Sequence, residues 1–108
     1  MIPLAIRKQL SGDDRMRKCE ICSESRVQFH HVFIYAGKQI KEAWNIAPAC
    51  ANCHAMATPH NSKYVQSVRE QFEWNALNRM TPSDIVKYPK KDWQTLKNYL
   101  SKYGGTTA

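Results

Sequence analysis

Two pairs of cysteines constrain the fold of this chain more than any other feature. Cys19/Cys22 and Cys50/Cys53 account for all four cysteines, and two residues separate the members of each pair. Thiolates at this spacing are typical of knuckles that hold one tetrahedral Zn²⁺, whereas disulfides are disfavoured in a reducing compartment. We therefore expect a structural zinc site, which would contribute on the order of 10 kcal/mol to folding.

The length indicates why such a site would be needed, and the apolar pattern indicates where the protein is located. A chain of 108 residues fits one small domain, and a domain of this size has only a small core. The sequence has no run of about 18 apolar residues, so it predicts no membrane span. Pro3 and Arg7 interrupt the short apolar opening, which does not resemble a secretory signal. We expect a cytoplasmic protein in which zinc supplements the core.

The charge of the chain favours a polyanionic partner. There are 16 lysines and arginines against 9 acidic residues, which gives a formal net charge of +7. Three basic residues near the predicted hairpin, Arg26, Lys38 and Lys41, are candidates for contacts with nucleic-acid phosphates. Diffuse positive charge is also common on ordinary solvated surfaces, so charge alone does not separate the two interpretations.

The middle of the chain predicts a β-hairpin followed by a helix. β-Branched and aromatic residues dominate the stretch SRVQFHHVFIY, which favours a strand, and we expect its turn to begin at residues 36–38. A second strand or an ordered loop is expected in KQIKEAWNI. Pro48 stands where a helix could start, just ahead of ACANCHAMA.

The remainder of the chain predicts three helices. The first has apolar residues at helical spacing, namely Val65, Val68, Phe72 and Ala76. The second starts at the capping signal formed by Thr81, Pro82 and Asp84. The third follows Pro89 and ends at Gly104 and Gly105. Its side chains expected to face the core are Trp93, Leu96, Leu100 and Tyr103. The expected organisation is a single domain over residues 1–108, with a basic arm over 1–15, a core over 16–60 and a helical extension over 61–104.

Three histidines lie in the predicted hairpin and helix. His30 and His31 are adjacent in the strand, where neighbouring side chains point to opposite faces. His54 follows Cys53, and consecutive helical residues diverge by about 100°, so a zinc-binding Cys53 leaves His54 directed elsewhere. One strand histidine and His54 can therefore converge on a second ion, which leaves the other strand histidine for a different role.

These residues occur in an order that matches a known family. The set is Cys19-x2-Cys22, His30-His31, Asn45 and Cys50-x2-Cys53-His54, with Asn45 nine residues before His54. Residues 16–60 thus resemble the HNH endonucleases, also called His-Me finger or ββα-metal nucleases. The resemblance implies an α+β fold with a small zinc-stabilised ββα-metal core and additional C-terminal helices.

The resemblance also implies a role for each matched residue. His30 and His54 would bind a catalytic divalent ion, and His31 would be the general base that deprotonates the attacking water. Asn45 would brace the loop between the strands and so fix the orientation of the base. The implied activity is metal-dependent hydrolysis of phosphodiester bonds in DNA, with double-stranded DNA as the expected partner.

The chain departs from the best-defined family pattern at the catalytic ion. Colicin-type members have a third metal-binding histidine where this chain has Thr58, and His60 or Asn61 could replace it. Many members have aspartate where His30 stands, and a neutral ligand there could shift the preference from Mg²⁺ toward Mn²⁺, Ni²⁺ or Zn²⁺. The identity of the catalytic ion stays open among these four.

Two other functions are compatible with a basic, zinc-stabilised domain. A zinc-stabilised nucleic-acid-binding module without hydrolysis would not need His30, His31 and His54. An adaptor with a degenerate site, for example in a phage or mobile element, would have lost one of the catalytic residues. The presence of all three histidines and Asn45 argues against both. DNA specificity, nicking against double-strand cleavage, and a monomeric or homodimeric state stay open.

Overall fold

The computed structural model describes residues 4–35 and 37–103, which combine short strands with helices. The strands are β1 (Gln28–His31), β2 (Ile34–Tyr35), β3 (Lys38–Gln39) and β4 (Ile46–Ala49). The helices are α1 (Leu4–Ser11), α2 (Ala51–Met56), α3 (Gln66–Arg79), α4 (Pro82–Lys87) and α5 (Trp93–Tyr103). The expected α+β class is confirmed. None of these helices has both the length and the apolar character needed to cross a bilayer.

Strands β1 and β4 form an antiparallel pair, and α2 follows it directly. Their register places His30 opposite Ala47 and His31 opposite Ile46. The predicted long strand ends at His31. The Val32 N–H still donates to the Asn45 carbonyl in register, but the Asn45 N–H donates to the Glu42 carbonyl and so leaves the ladder. The chain then forms a second antiparallel pair from β2 and β3, with Gly37 in the turn at a positive φ of 78°.

Pro48 lies inside β4, so the expected helix start at this residue is wrong. It pairs with Phe29, and its carbonyl accepts a hydrogen bond from the Glu20 N–H. A proline is tolerated here because β4 has only one neighbouring strand, and the other edge needs no N–H donor. The helix instead begins at Ala51, where the Cys50 sulfur accepts a hydrogen bond from the Cys53 N–H.

The C-terminal helices follow the sequence prediction with one exception. Val68, Phe72 and Ala76 are buried along α3, but Val65 precedes the helix and is 40% exposed. Thr81 and Asp84 form the reciprocal capping box that starts α4. In α5, Trp93 and Leu100 are buried and Leu96 is partly buried. The Tyr103 side chain, the helix stop at residues 104–105 and residue 36 of the expected turn lie outside the described part.

The basic N-terminal segment contains α1, a helix that is not among the elements predicted from the sequence. Leu10 is buried with Ile46 of β4. Beyond the helix, the Arg15 guanidinium donates hydrogen bonds to the carbonyls of Ala43 at 2.7 Å and Ile46 at 2.8 Å. Because these contacts reach the strand that precedes α2, the segment supports the hairpin from one side.

Helix α3 connects the two larger parts of the core. Phe72 packs in a cluster with three of the cysteines, whereas Ala76 and Leu77 pack with Trp44 and Trp93. At the end of α3, Arg79 donates hydrogen bonds to Glu20 at 3.1 Å and to the Trp44 carbonyl at 3.0 Å. The turn between Cys19 and Cys22, which contains Glu20, is thereby held against the end of α3.

Candidate functional site

The four cysteines lie close enough together to hold a metal ion such as zinc. The sulfur atoms of Cys19, Cys22, Cys50 and Cys53 all lie within 4.8 Å of one another. The Cys22 and Cys50 sulfurs are 3.5 Å apart, which is far too long for a disulfide bond. Four sulfurs at about 2.3 Å from one zinc ion stand roughly 3.8 Å apart, so the spacing fits tetrahedral coordination.

Local backbone structure brings the two cysteine pairs together. A tight turn joins Cys19 to Cys22, with the Ser23 N–H donating to the Cys19 carbonyl and Ser23 at a positive φ of 67°. The second pair occupies the N-terminal turn of α2, where Cys50 is the capping residue. A hydrogen bond from the Glu20 N–H to the Pro48 carbonyl, 3.0 Å long, fastens the turn to β4.

The electrostatics of the cluster favour a bound cation. Burial acts to raise the pKa of Cys19, but N–H donors from Cys22, Cys50 and Ile21 outweigh it and lower that pKa to about 7. Burial and hydrogen bonding to the other three thiols raise the pKa of Cys53. One thiolate thus forms readily, and further thiolates need positive charge at the centre of the cluster, which Zn²⁺ supplies.

His30 and His54 converge beside the cysteine cluster, one from β1 and the other from α2. Their ring centroids are 4.9 Å apart in an edge-to-face arrangement. His30 is buried at 8% exposure, and its ring also packs edge-to-face on Phe72 of α3 at 4.8 Å. Burial, with the positive charge that His54 and His31 can carry, lowers the pKa of His30 to about 4. Its imidazole is therefore neutral at pH 7, the form that can bind a metal ion.

His31 is half-buried and has an uncommitted ring nitrogen. Its Nε2 atom is buried and has no hydrogen-bond partner among the described residues. Burial, with a smaller contribution from the nearby charge of Lys41, lowers the pKa of His31. A neutral imidazole with a free lone pair can accept a proton.

Asn45 ties together the two ends of the connection between β1 and β4. Its side chain is fully buried, and its Oδ1 atom accepts a hydrogen bond from the Phe33 N–H at 2.7 Å. Its Nδ2 atom donates to the carbonyls of Phe33 at 3.2 Å and Ile40 at 2.9 Å. Because Phe33 lies two residues after His31, these bonds fix the backbone immediately beyond that histidine.

One cleft of about 490 Å³ is lined by all three of these histidines. Its charged lining comes from the C-terminal part of the chain, namely Arg69, Glu73 and Lys91. These three residues are not among the site residues predicted from the sequence. Arg69 and Glu73 are four residues apart, so the helical repeat could have predicted that they are neighbours on the surface of α3. No sequence signal indicated that this face of α3 packs against His30.

The other candidates from the sequence lie at different places. His60 is exposed in the turn after α2, and Lys38 is exposed on β3. Lys41 is exposed but near enough to affect the pKa of His31. Arg26 borders the surface beside Cys22 and Cys50 rather than the histidine cleft.

The comparisons with known proteins identify a family but no activity. The model of a family described as a protein of unknown function, DUF3716, matches residues 5–62, which is more than half of the chain. No curated protein and no solved structure matches the chain significantly. The matched segment includes the four cysteines, Asn45 and the three histidines of the cleft, and it ends before α3. The chain belongs to the DUF3716 family.

Proposed function

We propose that the protein is a metal-dependent endonuclease of the HNH type that hydrolyses phosphodiester bonds in DNA. The observation that carries the proposal is the convergence of His30 and His54 in one cleft that His31 also lines, with a His31 Nε2 atom that has no hydrogen-bond partner among the described residues. The order of elements supports it, because an antiparallel strand pair is followed directly by a helix that carries His54. The formal charge of +7 suits a polyanionic substrate.

His30 and His54 fit the requirements for a catalytic divalent ion. The centroids of the two imidazole rings are 4.9 Å apart, and burial keeps the His30 ring neutral at pH 7. When bound, the ion would supply positive charge to the scissile phosphate and to the leaving oxygen. Imidazole donors suit Zn²⁺ and Ni²⁺ better than Mg²⁺. The packing of His30 on Phe72 holds its ring in place for that role.

In the proposed reaction, His31 acts as the general base. Its Nε2 atom accepts the proton of the attacking water as the new P–O bond forms and the bond to the 3′ oxygen breaks, and the departing 3′ oxygen takes a proton from a solvent water. Since Nε2 is covered in this conformation, the imidazole must turn toward the cleft when the substrate binds. General-base catalysis of this kind contributes about 10²- to 10⁴-fold to a rate. Asn45 holds the backbone beyond His31 and thereby limits where the ring can point.

Supercoiled-plasmid cleavage by the wild type and by His31→Ala tests the proposal. The protein is stripped of weakly bound metal and assayed with added Mg²⁺, Mn²⁺, Ni²⁺ or Zn²⁺. We expect cleavage that requires an added ion and falls at least 100-fold in the variant, a loss in the range of general-base contributions. Gln28→Ala, at an exposed position of the same strand, is the control and should cleave like the wild type. Zinc content and circular dichroism of each variant establish that the fold is retained.

Two results would contradict the proposal. Full activity of His31→Ala would show that another group accepts the proton. DNA binding without cleavage under every ion would favour the alternative, a zinc-stabilised nucleic-acid-binding module without hydrolysis. The ratio of nicked to linear product in the wild type would indicate whether one or both strands are cut.

A further inference from the structure

One face of α3 contributes two oppositely charged side chains to the histidine cleft. Arg69, Phe72 and Glu73 occupy positions i, i+3 and i+4, so they lie on the same face of the helix. Phe72 packs on the His30 ring. Arg69 and Glu73 are neighbours at i and i+4 beside the residue that contacts His30, and both line the cleft.

Arg69 is positioned by an aromatic ring and an ion pair, and its Nε donor is unused among the described residues. Its guanidinium lies over the Tyr64 ring at 5.5 Å from the centroid. Its Nε atom stands 3.8 Å from the Glu73 carboxylate, which is an ion pair but too long for a hydrogen bond. Within the described part of the chain, this buried Nε has no hydrogen-bond partner. A guanidinium oriented in this way can offer its donors to an anion in the cleft.

Lys91 enters the same cleft from the segment before α5. Its Nζ atom lies 5.6 Å from the centroid of the Phe33 ring and 5.8 Å from that of Trp93. Aromatic faces position an ammonium group and leave its N–H donors available. Lys91 and Arg69 also act together on Glu73, since both oppose the effect of burial, which raises the pKa of that carboxyl.

The charges of the lining residues favour an anion. Arg69 and Lys91 contribute two positive charges, Glu73 contributes at most one negative charge, and the remaining described lining residues are histidines or uncharged. At neutral pH the cleft therefore carries a net positive charge before any metal ion is counted. A single carboxylate cannot neutralise both cations, and a phosphodiester oxygen can complete the balance.

We propose that Arg69 and Lys91 form a phosphate-binding pair that seats one backbone phosphate of the polynucleotide beside His30, His31 and His54. This inference rests on the proposed function, because it names the residues that hold the same substrate. Contacts with phosphates position a nucleic acid without reading its bases, so binding through this pair is tolerant of sequence. Both residues lie outside residues 5–62, so the substrate site is shared between the family segment and the helices that follow it.

Binding of a fluorescently labelled 20-base-pair duplex, measured by anisotropy at several salt concentrations in the presence of EDTA, tests the pair without cleavage. EDTA removes weakly bound divalent ions, and zinc content verifies that the cysteine site stays loaded. We expect Arg69→Ala/Lys91→Ala to weaken binding at least tenfold. We also expect the slope of log K against log salt to fall by about 0.9, since the pair seats one phosphate and each neutralised phosphate contributes roughly 0.9. The control, Arg7→Ala/Lys102→Ala, removes the same charge from exposed positions outside the cleft.

A conservative variant separates the role of Arg69 from a structural one. Arg69→Lys keeps the charge but loses the planar set of donors, so we expect it to bind with intermediate affinity and to melt like the wild type. Should the duplex bind equally well to the wild type and to Arg69→Ala/Lys91→Ala, the pair is not a phosphate site. An equal loss in the control variant would also overturn the inference, because it would show binding to diffuse charge.

The two proposals fail in different ways. If the wild type cleaves no DNA but the anisotropy results hold, the hydrolytic function is wrong and the phosphate pair stands. If His31→Ala abolishes cleavage while the double variant binds and cleaves normally, the hydrolytic function stands and the pair is wrong.

Discussion

Replacement of Asn45 by alanine should strongly destabilise the protein, because this side chain organises the connection between β1 and β4. Asn45 is fully buried and makes three hydrogen bonds with backbone groups of Phe33 and Ile40. In the Asn45→Ala variant, the Phe33 N–H and the two carbonyls would stay buried without these partners. Such groups cannot recover their lost bonds from water while the loop keeps its native conformation.

The size of the effect follows from these bonds. A buried polar group left unsatisfied costs about 1–3 kcal/mol, with the N–H donor the most demanding of the three. Partial relaxation of the two carbonyls reduces the sum, so we expect a loss of about 3 kcal/mol in the free energy of unfolding. Small domains are stable by only about 5–15 kcal/mol, so the variant would keep a fold of reduced stability.

Urea unfolding followed by tryptophan fluorescence measures this loss, because Trp44 and Trp93 are both buried. The free zinc concentration is held equal for all variants, since a ligand that binds only the folded state shifts the apparent stability. Asn52→Ala, at an exposed position of α2, is the matched control and should change stability by less than about 0.5 kcal/mol. If Asn45→Ala is as stable as Asn52→Ala, the hydrogen bonds of Asn45 do not hold the connection together.

Two further predictions concern the metal cluster and the buried histidine. Cys50→Ser should lose zinc and unfold, because the cluster loses a thiolate ligand, whereas a serine can still accept the capping hydrogen bond of α2. Zinc analysis and circular dichroism would test this, and a folded variant with normal zinc content would contradict it. The pKa of His30 is lowered from 6.5 to about 4, so the unfolded chain binds this proton more readily than the folded one. The contribution of neutral His30 to the free energy of unfolding is therefore fully present above pH 6.5 and should decline as the pH falls toward 4. The free energy of unfolding should fall more steeply with decreasing pH in the wild type than in His30→Phe. Urea titrations at a series of pH values that give the same pH dependence for both proteins would refute the assignment.

The elements that the sequence predicted well are those with strong local signals. The spacing of the cysteines requires the two pairs to meet, and their sulfurs lie within 4.8 Å. Thr81 and Asp84 supply a capping box in a four-residue window, and α4 begins there. Val68, Phe72 and Ala76 follow the helical repeat and are buried. In each case the information lies within one turn, one helix or one ligand set.

The predictions that failed needed tertiary information. Pro48 suits the first turn of a helix, but pairing with Phe29 holds it in a strand at an edge where its missing N–H matters little. Val65 fits the apolar repeat of α3, yet the helix starts one residue later and leaves it 40% exposed. The predicted long strand ends at His31 because the Asn45 N–H, fourteen residues later, donates to the Glu42 carbonyl, and the Phe33 N–H donates to the Asn45 side chain rather than to a strand.

The charged lining of the cleft shows the same limit more clearly. Arg69 and Lys91 are two of 16 basic residues, and neither stands in a motif that the sequence distinguishes. Their position depends on α3 packing against His30 through Phe72 and on Lys91 resting between Phe33 and Trp93. The histidines of the family segment could be recognised by their order along the chain, whereas the side chains that would hold a substrate beside them become visible only when the C-terminal helices are folded onto the hairpin. A chain of this family with different C-terminal helices could therefore keep the same histidines and bind its substrate differently.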